Sequence, residues 1–252
     1  MKVIKDIKIL FEIINHAENI VFLGGAGVST ESGVPDFRSP GGLYNQPYKF
    51  SPEKILSHNF FLNQPKIFFD FYKEKIINID PEPNPGHYYL TDLEKSGKLK
   101  AIITQNIDGL HQKANSKNVI ELHGNVNYNH CIKCNKAFNL EYVKNAKNPV
   151  RCDECNGLVK PDVVLYGEDL DNSVLESAVK HIQQSDLMII AGTSLNVYPA
   201  ADLMRFAKKV LLINLTKTSK DIYCDYTYYG KFGETSKELQ SLSDWHHIVN
   251  IL

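Results

Sequence analysis

The chain has no excess of either charge. Its 28 Lys and Arg face 29 Asp and Glu, for a formal net charge of −1 over 252 residues. Nothing in that balance argues for nucleic acid or an anionic membrane surface as a partner, and the charges read as a solvated face, although a local patch is compatible with it. No window approaches the roughly 18 uncharged apolar residues of a membrane span, so no membrane partner is expected. The opening MKVIKDIKILFEIINHAENIVFLGG interleaves charge with apolar residues and never builds the apolar stretch of a secretory leader. A mature N terminus and a cytoplasmic location are the expectation. Repeats at a fixed period and low-complexity tracts are missing as well. So is a disulfide framework: four of the five cysteines stand in close pairs, which fits a reducing compartment better in a chain this long. Cys224 is the odd one, read as a buried or bystander thiol.

The length allows one large α/β domain or a domain carrying a smaller inserted module. Ile4, Ile7, Phe11 and Ile14 recur at helical spacing, and the apolar run Ile20, Val21, Phe22, Leu23 follows before a glycine cluster. Three further runs share that uncharged character: residues 101–104, 187–191 and 210–214. Each follows a stretch readable as helix, and strands apolar on both faces are those of a covered parallel sheet. The fold class is therefore α/β, a doubly wound, Rossmann-like parallel sheet. Two segments break the rhythm. Residues 39–84 are rich in Phe, Tyr, Asn and Pro, with an aromatic cluster from Phe68 to Tyr72 at helical spacing, and residues 127–159 carry the cysteine pairs. Both are assigned to a smaller inserted domain, a helical part plus a zinc ribbon, leaving 1–38, 85–126 and 160–252 to the sheet domain.

The spacing Cys131-x2-Cys134-x17-Cys152-x2-Cys155 matches the paired pattern of a four-thiolate zinc site. Each pair fits a tight turn, with Asn135 and Asn156-Gly157 supplying residues that tolerate left-handed backbone. Four thiolates close the tetrahedron and leave no position for water, so one structural Zn²⁺ is expected.

The glycine cluster GGAGVSTESG (24–33) follows a buried strand. It could bring backbone N–H groups to a pyrophosphate at a helix N-terminus, with Ser29 and Thr30 free to cap or donate. No acidic residue stands about twenty positions on, where a dinucleotide fingerprint holds the ribose, and alone the loop reads either as a phosphate cradle or as a structural turn. Gly192-Thr193-Ser194 and Asn214 also follow apolar strands. Polar residues beyond three strand ends are where an open α/β sheet takes a ligand, although each singly also reads as a helix cap.

Between the glycines and the cysteines lie Thr104-Gln105-Asn106-Ile107-Asp108-Gly109 and Glu121-Leu122-His123-Gly124. A near-neutral pKa suits an imidazole to general base work, though a lone histidine is also a common structural residue. Position favours the first reading for His123. Asn106 and Asp108 are expected on a loop where both reach a ligand. The other histidines read as surface or packing residues.

Taken together, GAGVSTESGVPDFRSPGGLY (25–44), TQNIDGLHQKA (104–114), LHG (122–124), the two cysteine pairs, KPDVVLYGE (160–168), GTSLNVYPAA (192–201) and LLIN (211–214) resemble the sirtuin family of NAD-dependent protein deacylases. The resemblance runs in order from residue 21 to residue 214.

It implies a Rossmann-like domain and a zinc-bearing domain enclosing a cleft that NAD and an acylated-lysine protein enter from opposite sides. By position, Gly25, Ala26, Gly27, Phe37 and Arg38 would lie around the nicotinamide ribose and pyrophosphate. Gln105, Asn106, Ile107 and Asp108 would form the nicotinamide pocket, and Gly192, Thr193, Ser194 and Asn214 would serve the phosphates and adenosine. The resemblance further implies that the acyl oxygen displaces nicotinamide at C1′ of the ribose, with Asn106 at the reacting centre. His123 would then deprotonate a ribose hydroxyl, and lysine and O-acyl-ADP-ribose would leave.

The segment 160–168 resembles the one that pairs with an extended peptide, with Val163, Val164, Tyr166 and Gly167 against the substrate. Tyr166 stands where phenylalanine is common in the family. Relatives preferring negatively charged acyl groups carry Tyr-x-x-Arg on a helix. A gapless alignment sets Phe69 and Tyr72 there, a shifted one Tyr72 and Lys75, so the pairing arginine is missing and acetyl should leave faster than succinyl.

Two alternatives accompany this reading. One is a protein mono-ADP-ribosyltransferase. The other is a non-catalytic NAD-sensing or zinc-bearing module, for which Lys133, Lys136, Lys144, Lys147 and Arg151 would be a surface; they lack interleaved stacking aromatics, and direct nucleic-acid binding is not expected. The segment after Asn214 says little, beyond Lys231-Phe232-Gly233-Glu234 as a closure of the adenine side.

Overall fold

The computed structural model describes residues 1–37, 41–45 and 48–249. Among them ten strands form: β1 (Lys2–Ile4), β2 (Ile20–Gly24), β3 (Leu99–Thr104), β4 (Val119–Glu121), β5 (Gly124–Cys131), β6 (Ala137–Asn139), β7 (Val159–Val163), β8 (Leu187–Ala191), β9 (Val210–Asn214) and β10 (Tyr226–Tyr229). Seven make one sheet in the spatial order β1-β10-β9-β8-β2-β3-β4, every pair parallel. β6, β5 and β7 form a small antiparallel sheet.

The four apolar runs of the sequence become β2, β3, β8 and β9. β2, β8 and β9 are buried at every position, as strands covered on both faces must be. Alternate residues divide between two cores. Ile20, Phe22, Ile102, Ile189 and Leu211 pack under the helices Ile7–Asn15, Pro85–Lys95 and Phe232–Val249. Val21, Leu23, Ile103, Met188, Ile190 and Leu212 pack under the helix Asn172–Gln184. Each such side chain contributes about 1.5–3 kcal/mol on burial, so the strand ends that carry the polar loops rest on rigid ground.

Three expectations change. Ile4 belongs to β1 and not to the first helix, which starts at Ile7 because the Asp6 carboxylate caps Lys8 N at 2.9 Å. The glycine cluster leads not into an α-helix but into two short 3₁₀ turns, Ala26–Val28 and Thr30–Ser32, the second closed by Gly33 at φ +83°. A 3₁₀ segment, Ala200–Phe206, precedes β9 where a helix was expected.

The two aberrant segments share a third core. Phe60, Phe61, Phe68, Phe69, Phe71 and Tyr72 pack with Val143, Val150, Val159, Cys131 and Cys152. The rings of Phe61 and Phe68 meet edge to face at 5.1 Å, and Phe68 stacks on Tyr72 at 5.5 Å. Lys73 ties the halves together through Lys144 O at 3.3 Å and Ala146 O at 2.5 Å.

From β2 the chain moves outward through β3 and β4, then returns to lay β8 and β9 on the other side of β2. The reversal between β2 and β8 is a topological switch point, where an open α/β sheet leaves a crevice beyond its strand ends. Among the described residues no helix is long and apolar enough to cross a membrane.

Candidate active site

At the switch point the turns after β2 and β8 touch backbone to backbone. Gly27 N donates to Gly192 O at 2.8 Å. A Cβ on Gly27 would stand 2.7 Å from Gly192 Cα, and one on Gly192, at φ +61°, would stand 2.4 Å from Val28 N. These two glycines are needed for the approach of one loop to the other, a reason the sequence alone did not reveal.

A cleft of about 1710 Å³ opens beside this contact. Gly25, Ala26, Gly27, Phe37, Gln105, Asn106, Ile107, Asp108, His123, Gly192, Thr193, Ser194 and Asn214 all line it, as do Val163, Val164, Tyr166 and Gly167. Arg38 lies outside the described residues. The volume exceeds the roughly 300–1,000 Å³ usual for a small-molecule site, enough for a dinucleotide together with a side chain of a second substrate.

The loop after β3 is fastened to the glycine turn. Asn106 Nδ2 donates to Gly25 O at 3.1 Å and to Ser29 Oγ at 3.0 Å, and Ser29 Oγ donates to Asp108 Oδ2 at 2.7 Å. Leu110 N donates to Asp108 Oδ1 at 2.9 Å. Burial raises the carboxyl pKa of Asp108 above its usual range, against the lowering effect of the Leu110 and Ser29 donors. Ser29 is fully buried, and of the two roles expected of it, cap or donor, it takes the donor's.

His123 sits in the turn between β4 and β5. The next residue, Gly124, has φ +77°, and a Cβ there would fall 1.9 Å from Asp162 O. Only glycine lets the β5–β7 ladder close directly behind the imidazole. His123 Nδ1 lies 2.8 Å from Gln105 O. A carbonyl only accepts, so Nδ1 carries the proton and the neutral ring keeps Nε2 as a base. Burial lowers the His123 pKa, outweighing the Gln105 carbonyl that raises it, so the ring is uncharged at neutral pH.

Thr193 and Asn214 spend part of their polar capacity locally. Thr193 Oγ1 accepts from Leu195 N at 3.1 Å and from Gln105 Nε2 at 3.4 Å, and Asn214 Nδ2 donates to Thr216 O at 3.0 Å. On the opposite wall, Tyr72 and Lys75 line the cleft while Phe69 is wholly buried and does not. The shifted alignment is thus the one that matches the cleft. Lys75 Nζ is paired with Glu74 at 2.7 Å, and the buried Tyr72 hydroxyl has no partner among the described residues. Gly230, Lys231 and Phe232 also line the cleft. Glu31 accepts from Gly233 N at 2.7 Å and Glu234 N at 3.1 Å, capping the last helix from 202 residues away in sequence; nothing local in the chain announces that contact.

The Sγ atoms of Cys131, Cys134, Cys152 and Cys155 lie within 4.8 Å of one another, with Cys131–Cys155 at 3.4 Å and Cys134–Cys152 at 3.7 Å. A tetrahedron with Zn–S of about 2.3 Å has S···S edges of about 3.8 Å, so the four thiolates fit one structural zinc. Asn135 and Asn156 take φ +59° and +58° at the two turns, and Lys133 N donates to Cys131 Sγ at 3.4 Å.

The sequence and the fold have known counterparts. A sequence description of the Sir2 family matches residues 25–199. An NAD-dependent protein deacetylase of Clostridium acetobutylicum is 51% identical over 239 residues, spanning 93% of this chain and 98% of the relative. One of Clostridium tetani is 56% identical over 219 residues, spanning 85% and 89%. A Sir2 solved with a deacetylated p53 peptide and 3′-O-acetyl-ADP-ribose superposes with a TM-score of 0.87 at 37% identity, covering 94% of this chain and 98% of that one. A Sir2 solved with a p53 peptide and NAD⁺ gives 0.85 at 36%, covering 95% and 99%.

Proposed function

The chain belongs to the Sir2 family, and from that premise we infer that it is an NAD-dependent protein deacetylase acting on acetylated lysine in proteins. The observation that carries the reading is His123, neutral and locked by Gln105 O at 2.8 Å, in one cleft with Asn106, Asp108 and Ser29.

NAD, when bound, supplies a ribose carbon from which nicotinamide departs, and takes up the acyl group. The residues present fit it. Asn106, Ile107 and Asp108 form the nicotinamide pocket, with Asn106 at the reacting centre. Asp108 is oriented through Ser29 and Leu110 N, so the pocket is set before the ligand arrives. Gln105 would join that pocket, Gly25, Ala26, Gly27 and Phe37 would flank the inner ribose and pyrophosphate, and Gly192, Thr193, Ser194 and Asn214 would serve the phosphates and adenosine.

His123 Nε2 takes the proton of a ribose hydroxyl, and the Nδ1–H to Gln105 keeps the ring turned for that step. Asn106, held by the Gly25 carbonyl and Ser29, fixes the loop wall that excludes water. Val163, Val164, Tyr166 and Gly167 receive the peptide and the lysine stem. The zinc holds the third core and so the far wall; it takes no part in the chemistry. Four thiols arranged for metal favour a reducing compartment, which supports the proposal of a cytoplasmic enzyme.

Incubation with NAD and an acetylated peptide tests this by mass. Nicotinamide, deacetylated peptide and O-acetyl-ADP-ribose in equal amounts are expected. ADP-ribose attached to protein in their place would assign the chain to protein mono-ADP-ribosylation, and absence of turnover would leave a binding module.

A further inference from the structure

Residues 164–167 lie beyond the small sheet and meet residues 56–58 through an isolated parallel β-bridge, Ser57–Tyr166. The β5–β7 ladder ends at the pair Gly124–Val163, so the segment leaves its strand just where the cleft begins. Its backbone is pinned from three directions. Val164 N donates to His123 O at 2.9 Å, Tyr166 N to Leu56 O at 3.0 Å, and His58 N to Tyr166 O at 3.0 Å. The remaining anchor is a charge: Leu165 N donates to Glu168 Oε2 at 2.8 Å.

That carboxylate has two more donors. His58 Nδ1 lies 2.6 Å from Oε1 and Lys160 Nζ 3.1 Å from Oε2. Lys160 also donates to Val163 O at 2.8 Å and Pro161 O at 3.2 Å, and its side chain is only 12% exposed. Burial would raise the carboxyl of Glu168, but Leu165 N, His58 and Lys160 together hold it below its usual range. Half-buried charges are costly, and hydrocarbon of equal volume would stabilise the fold as well or better. What hydrocarbon cannot do is fix where the Leu165 N–H and the Val163 carbonyl point.

We propose that Glu168 is a positioning residue for the peptide substrate: braced by Lys160 and His58, it fixes residues 164–167 in the extended form that accepts the peptide main chain. The proposal rests on the deacetylase reading and on the assignment of that segment to the peptide. It also explains a link to the chemistry, because the Val164 N to His123 O bond joins the peptide-bearing segment to the residue carrying the base.

The test is steady-state kinetics of Glu168→Gln and His58→Gln with an acetylated peptide and NAD varied separately. The KM for peptide should rise about tenfold in Glu168→Gln, which weakens bonds to a charged acceptor. It should rise less in His58→Gln, where a neutral amide replaces the imidazole as one of three donors. The KM for NAD should stay within about twofold in both, because the nucleotide touches the other wall. Lys160→Arg, which keeps the cation, should retain most of the peptide affinity. An unchanged peptide KM in His58→Gln or in Glu168→Gln overturns the proposal, as does a fall in kcat and melting temperature with both KM values moving together. Failure of the wild-type enzyme to deacetylate any peptide would instead sink the deacetylase reading itself.

Discussion

Ser29 Oγ donates to Asp108 Oδ2 at 2.7 Å, and this bond joins the turn after β2 to the loop after β3 across 79 residues of sequence. Both residues lie where burial makes an unmet hydrogen bond costly.

Ser29→Ala removes that donor and leaves the Asp108 carboxylate with backbone N–H donors only. A stability loss of about 1–3 kcal/mol is expected, the cost of a buried acceptor left unsatisfied. The Asp108 pKa should climb further, and the KM for NAD should rise more than the KM for peptide. Denaturant midpoints and kinetics with each substrate varied check both parts.

His87 and His111 form a buried pair with ring centroids 4.9 Å apart, and His87 Nε2 and both His111 nitrogens lack partners among the described residues. Burial pushes the His87 pKa down to about 4; burial and then the neighbouring His87 push His111 down to about 3. Unfolded imidazoles bind protons near pH 6.5, so below that pH the unfolded chain takes up more protons than the folded one. Stability is complete above about pH 6.5 and is lost as the pH falls toward 4. His111→Leu should flatten this dependence; the slope of urea midpoint against pH, compared between wild type and variant, reads it directly.

Lys75 faces the cleft with its charge already matched by Glu74 at 2.7 Å. A succinyl carboxylate would have to displace that partner, so acetyl-lysine should be processed much faster than succinyl-lysine on matched peptides. Glu74→Gln frees the ammonium and should narrow the ratio. Equal wild-type rates on the two peptides would contradict the assignment.

Removing the metal should stop turnover, because Cys131 and Cys152 belong to the same core as the aromatic helices that form the far wall. A chelator in mild denaturant is expected to release one zinc per chain together with the activity. The two cores of the main sheet contain none of the four cysteines and should keep a separate unfolding transition.

The parts of this structure that the chain displays plainly are those governed by short-range pattern. Uncharged runs became β2, β3, β8 and β9, and two CxxC pairs met as a tetrahedron, because strand burial and metal spacing are local properties. β1, β4 and β10 escaped notice for a physical reason: Lys2–Ile4 and Val119–Glu121 are three residues long, and Tyr226–Tyr229 has no aliphatic residue. The cleft residues were legible through family resemblance more than through chemistry, since Asn106 or Thr193 alone is an ordinary loop residue. Contacts between distant segments were not legible at all. The Glu31 cap on the last helix, the Gly27–Gly192 approach and the His58–Glu168 pair exist only once the sheet has brought their loops together, and the sequence offers His58 only as a surface or packing residue.

The proposed chemistry turns on His123 as a neutral base whose proton sits on Nδ1, and His123→Ala tests it most directly. With zinc content and melting temperature unchanged, formation of O-acetyl-ADP-ribose should fall by about 10²–10⁴-fold, the usual worth of a general base. Turnover within about twofold of wild type, from a folded and zinc-loaded variant, would contradict the assignment of the imidazole and with it the mechanism.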